Sequence, residues 1–119
     1  NGVAQKSYLH ADDLSAAILT VLRKGEPGEI YNVGPDTPIA IWGLVMLITK
    51  VMGVAWGDLV EQAPDRVGQD AKYHLNSDKI KSLGWEPQVK LWPGLEKMAT
   101  WVQTYPELLT MPTTYEHRQ

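Results

Sequence analysis

Two adjacent carboxylates, three separated histidines and one arginine in an acidic loop are the side chains of this 119-residue chain best suited to chemistry. Asp12 and Asp13 form the carboxylate pair. Paired acids can share acid–base work, but this pair stands directly before apolar residues at helical spacing. A helix amino cap explains both. His10, His74 and His117 stand singly, with no second His or carboxylate at metal-ligand spacing. His10 and His74 are read as satisfied strand residues, and no metal site is expected. Arg66 lies among Glu61, Asp65 and Asp70. Its planar fork can pair with these acids or donate two parallel hydrogen bonds to a phosphate. Trp85 and Tyr73 read as packing residues. The chain has no cysteine, which excludes thiol catalysis, disulfides and cysteine–zinc sites.

The elements that must hold these residues alternate between strand and helix. Ser7–His10 is a short strand candidate. Asp12 or Asp13 is expected to cap a helix with Leu14, Ala17, Ile18, Val21 and Leu22 as its apolar face. Arg23 and Lys24 suit the negative end of its dipole, and Gly25 is a candidate left-handed stop. Glu29–Val33 is rich in strand formers and ends at the turn Gly34-Pro35-Asp36. A second helix is expected over Ile39–Met52, stopped by Gly53. It is apolar on nearly every face and so calls for cover on more than one side. Leu59–Gln62 and Lys72–Asn76 are further strand candidates. Ser77 is expected to cap a short helix that Gly84 stops. Pro93 fits the first turn of a last helix with Leu95, Met98, Trp101, Val102 and Tyr105 as its stripe, and Pro106 ends it.

Composition narrows the class. With 44% hydrophobic and 21% charged residues, the chain reads as one ordinary globular unit. A net charge of −3 with signs interspersed gives no basic stripe for nucleic acid and no polybasic helix for a membrane surface. The amino end has no signal-like pattern, and the apolar run Ile39–Met52 is too short to span a bilayer. A cytoplasmic location is the expectation.

Three blocks, in order, carry a family resemblance. Lys6-Ser7-Tyr8-Leu9-His10-Ala11-Asp12-Asp13 is similar to R-x-x-L-[YH]-V-[DE]-D. Gly28-Glu29-Ile30-Tyr31-Asn32-Val33-Gly34 is similar to G-E-x-Y-N-I-G. Asp65 to Tyr73, followed by Ser77-Asp78-Lys79-Ile80 and Leu83-Gly84-Trp85-Glu86-Pro87, resembles D-R-P-G-H-D-x-R-Y…S-K-I…L-G-W-x-P. These blocks resemble the carboxyl-end region of nucleotide-sugar dehydratases and epimerases in the extended short-chain dehydrogenase/reductase family. The resemblance implies an α/β fold: the edge strands and helix of a Rossmann-like sheet (residues 1–37), then a small mixed α/β substrate lobe (38–109) and a tail (110–119). The NAD-binding core would be absent.

By the same resemblance, Lys6, Arg66 and Gln69 stand where the family clamps the nucleotide diphosphate. Arg66 matches the family residue. Lys6 replaces an Arg, Gln69 a His, Val67 a Pro, and Ile41 a ligand-facing Asn. The family's cofactor is NAD, held by a Gly-rich turn between strand and helix. The G-x-x-G here, Gly25–Gly28, follows a helix and precedes a strand. No Tyr is followed by Lys four residues later, the spacing of the family's proton-relay pair. No catalytic residue and no bound NAD are therefore expected in this chain. The expected partners are a weakly held nucleotide sugar, a second copy (a dimer favoured) and a separate Rossmann half. The alternatives are a non-catalytic oligomeric interaction protein and one half of a split enzyme.

Overall fold

The computed structural model describes residues 2–64 and 68–110. Its first element is a two-residue strand, β1 (Gln5–Lys6), followed by helix α1 (Ala11–Lys24). Strand β2 (Ile39–Ala40) leads into α2 (Ile41–Met52), and a single turn, α3 (Trp56–Leu59), follows. Strand β3 (Lys72–Tyr73) precedes a second single turn, α4 (Asp78–Lys81), and the last helix, α5 (Leu91–Thr104). The order across the sheet is β2-β1-β3, with β1–β2 antiparallel and β1–β3 parallel. The fold is thus mixed α/β, as the three blocks imply.

The cap of α1 is His10, whose Nδ1 accepts from the Asp12 backbone N–H at 3.1 Å. His10 is therefore a cap and not a strand residue. Asp13 lies in the first turn of α1, but its carboxylate turns away from the helix end. Its carboxylate accepts the backbone N–H of Gln88 at 2.9 Å and of Val89 at 3.0 Å. Its carbonyl accepts the Trp85 indole N–H at 3.0 Å. The carboxylate is buried, and backbone donors satisfy it as burial demands. Gly25 is not left-handed: its φ is −72°. A glycine is required there because a Cβ would lie 2.6 Å from the Val21 carbonyl oxygen. Gly53 (φ 68°) and Gly84 (φ 90°) do take the left-handed stop positions.

Ser77 precedes α4, but its hydroxyl donates to the Gly34 carbonyl at 3.0 Å and caps nothing. Asn76 takes the capping role, its Oδ1 accepting from the Asp78 N–H at 2.8 Å. Lys79 pairs with Glu29 and Lys81 with Asp36, which ties residues 29–36 to α4. The Lys79 hydrogen bond, then its charge, holds the Glu29 carboxyl below the usual range.

The core is small. Ala17, Ile80 and Trp85 are its buried apolar members, with Leu9, Val21, Tyr31 and Val33 packed around them. Trp85 is the packing anchor that Leu-Gly-Trp-Glu-Pro suggests. α5 lies against α2, which remains half-exposed at Trp42, Met46, Ile48 and Met52.

Three strand expectations change. Ser7–His10 is irregular, and the strand lies just before it. Leu59–Gln62 contains the end of α3 and irregular chain. Glu29–Val33 forms no ladder, because no described strand lies beside it to accept its bonds. The tail beyond Thr110 lies outside the described residues. Among the described residues, no helix is long and apolar enough to cross a membrane.

Candidate functional site

The parallel pairing of β1 with β3 joins chain segments more than sixty residues apart. Gln5 pairs with Lys72 and Lys6 with Tyr73. The Gln5 N–H donates to the Ala71 carbonyl at 2.8 Å, and the Ser7 N–H to the Tyr73 carbonyl at 3.3 Å. On the other side, Lys6 pairs with Ile39 of β2, which runs straight into Ile41 at the start of α2. Lys6 thus sits on the central strand, between the lead-in to α2 and the segment Gly68–Tyr73.

The Lys6 ammonium makes a long 3.5 Å contact to the Asp70 carbonyl oxygen and lies 5.3 Å from the centroid of the Tyr73 ring. A carbonyl and an aromatic face attract a cation without neutralising it. Tyr73 is 53% exposed, so it is no core residue; its ring supports Lys6 at the surface. Gln69 is exposed on the same segment. Of the three predicted site residues, the sheet brings Lys6 to the Gln69 segment, while Arg66 lies outside the described residues.

Alternation along the paired strands sends Ser7 and His74 to the face opposite Lys6 and Tyr73. The Ser7 hydroxyl and His74 Nδ1 share a 2.9 Å hydrogen bond there. Sequence reasoning treated these two separately, since only the β1–β3 register joins them.

The amino end of α2 offers little to an anion. Ile41 donates its N–H to the Ala4 carbonyl and Trp42 to the Gly2 carbonyl. Two of the free donors at that helix end are therefore used. Ile41 contributes an aliphatic side chain in place of a hydrogen-bonding one.

A half-open cavity of about 300 Å³ borders β2. Tyr8, Asp36, Thr37, Ile39, Lys90 and Leu91 line it. Neither Lys6 nor Gln69 does, so the cavity and the β1–β3 surface are neighbouring but separate features. Among the described residues no group of three His, Asp or Glu could hold a metal ion.

Comparison with known proteins gives this arrangement a context. No protein-family model matches the chain. A dTDP-D-glucose 4,6-dehydratase of Mus musculus is 38% identical over 109 residues, covering 85% of this chain and 30% of the relative. The crystal structure of a dTDP-glucose 4,6-dehydratase from Bacillus anthracis in complex with NAD matches 90% of this chain and 34% of its own. It has a TM-score of 0.82 and 31% identity. A UDP-glucose 4-epimerase of Thermotoga maritima with UDP-glucose matches 87% of this chain and 33% of its own, at a TM-score of 0.78 and 29% identity. The chain spans about a third of the length of the relatives it matches. Over that third, its homologues are dTDP-glucose 4,6-dehydratases, and its structural neighbours are nucleotide-sugar epimerases and dehydratases of the short-chain dehydrogenase/reductase type.

Proposed function

We propose that this chain is the nucleotide-sugar-binding lobe of an NAD-dependent sugar-nucleotide dehydratase or epimerase, and that it performs no hydride chemistry by itself. The observation that supports this most is the β2-β1-β3 sheet. It sets Lys6 beside the segment that bears Gln69 and follows Arg66. A diphosphate is the ligand chemistry that suits cationic and amide donors gathered at such an edge. The missing cofactor turn and Tyr–Lys spacing support inactivity of these 119 residues alone. Titration calorimetry with dTDP and UDP tests the binding. Weak binding that Arg66→Ala or Lys6→Ala weakens further, by roughly tenfold or more, is expected, and tight binding that survives both variants would refute the site. An assay with NAD and dTDP-glucose should stay at background.

A second reading, a non-catalytic interaction protein that kept the fold and lost the ligand, is favoured by Ile41 in place of a polar residue and by the occupied amides beside it. The same calorimetry separates the two readings, because the second expects no nucleotide heat at all. A cytoplasmic, oligomeric protein is part of both proposals.

A further inference from the structure

Strands β1 and β3 are only two residues long, and of the bonds that Gln5 and Ser7 donate across them the second is long, at 3.3 Å. Beyond β3 the chain is tied down, because the Ser77 hydroxyl donates to the Gly34 carbonyl and Asn76 accepts the Asp78 N–H. Before β3, residues 68–71 are exposed. The segment that bears Gln69 therefore takes its place from the β1–β3 register.

Side chains pair at two successive positions of that register. Lys6 stands opposite Tyr73, with its ammonium 5.3 Å from the ring centroid. The next pair, on the other face, is Ser7 with His74, whose Nδ1 lies 2.9 Å from the hydroxyl. A neutral ring with its proton on Nε2 accepts the hydroxyl at Nδ1. A slip of one residue would exchange the two faces. Slipped one way, Lys6 would stand opposite Lys72, which like charge opposes. Slipped the other way, Lys6 would stand opposite His74 and Ser7 opposite Leu75, which has no acceptor in its side chain. The Ser7–His74 bond opposes this second slip, because the slip breaks it.

We propose that Ser7 and His74 are positioning residues for nucleotide binding: their bond fixes the register that holds the Lys6 ammonium beside the Gln69 segment. Neither residue touches the ligand in this proposal, and both act through Lys6. Neither stands at a fixed position of the family pattern, so the device rests on residues particular to this chain. The inference rests on reading Lys6 as a phosphate contact.

Two measurements on the 119-residue chain test it. In calorimetry with dTDP, Ser7→Ala and His74→Ala should each weaken binding about fivefold, the worth of one neutral hydrogen bond. The double variant should lose no more than either alone, because both remove the same bond. Ser7→Thr keeps the hydroxyl and suits a strand, so it should restore binding. The second measurement needs no ligand. The Tyr73 ring should shift the NMR signal of the Lys6 ε-methylene upfield. That shift should shrink in both alanine variants and persist in Ser7→Thr. Additive losses in the double variant, failure of Ser7→Thr to restore binding, or a ring shift unchanged in the alanine variants would overturn the proposal. So would a loss of helical circular dichroism in either alanine variant, which would make the pair a general stability element. An absence of dTDP heat in every protein, with the ring shift behaving as expected, would refute the nucleotide reading and leave the register device standing.

Discussion

At Lys6 the difference between an ammonium and a guanidinium becomes measurable. The ammonium is a compact point charge with three rotatable donors, whereas Arg offers two parallel donors to one phosphate. A charge-assisted hydrogen bond contributes about 1.5–3 kcal/mol. Lys6→Ala should weaken dTDP binding roughly tenfold or more by calorimetry, whereas Lys6→Arg should tighten it. An unchanged affinity in both variants would remove Lys6 from the site. Lys6 is singled out by its block alone, where the resembling family pattern has a cation. The role of Asp13 was not legible. Next to an apolar helical stripe it reads as a cap, and nothing local announces that Gln88 and Val89 will bring their amides to it. Asp13→Ala would leave both amides without an acceptor inside the fold, and each such group costs about 1–3 kcal/mol. A loss of about 3 kcal/mol in urea denaturation is expected, with Asp13→Asn losing less because it keeps one acceptor oxygen.

At the scale of elements, the long helices were legible, whereas among the described strands only β3 falls within a strand candidate, Lys72–Asn76. The three long helices α1, α2 and α5 follow from apolar spacing, and their ends from Gly53, Pro93 and Pro106. The strands are two residues each and exist only because residue 5 meets residue 72 and residue 6 meets residue 39. Such pairing leaves no trace in a local window. Glu29–Val33 has the composition of a strand, yet no strand among the described residues lies beside it, and α4 holds it and the following turn through Lys79 and Lys81 instead. That clamp should respond to pH. Glu29 is depressed below its ordinary value of 4.5 by the Lys79 hydrogen bond. Its contribution is thus present above 4.5 and is lost as pH falls through the depressed value. Lys79 is raised above 10.5, chiefly by its hydrogen bond to Glu29. Its contribution is present below 10.5 and is lost as pH rises through the raised value. The pair is exposed, so the effect is small. The melting temperatures of the chain and its Glu29→Gln variant should differ slightly at neutral pH and converge in acid. A difference that persists at pH 2 would exclude this pair as its source. Gly84 is a second element-scale test. Its φ of 90° is costly for any side chain, so Gly84→Ala should destabilise by about 1–2 kcal/mol.

Across the whole molecule, one tryptophan out of five is buried. Trp85 is 3% exposed, whereas Trp42, Trp56, Trp92 and Trp101 range from 39% to 49%. The buried apolar core of the described residues consists of Ala17, Ile80 and Trp85, so one indole forms much of it and also bonds α1 through the Asp13 carbonyl. Removing a buried Trp side chain costs about 3–5 kcal/mol, and small domains have stabilities of only about 5–15 kcal/mol. Trp85→Ala should therefore abolish the cooperative thermal transition of the chain, while Trp101→Ala should leave it in place. The more conservative Trp85→Phe keeps most of the volume but loses the indole N–H. It should leave a weakened transition and remove the blue-shifted part of the emission, since the remaining indoles all border water.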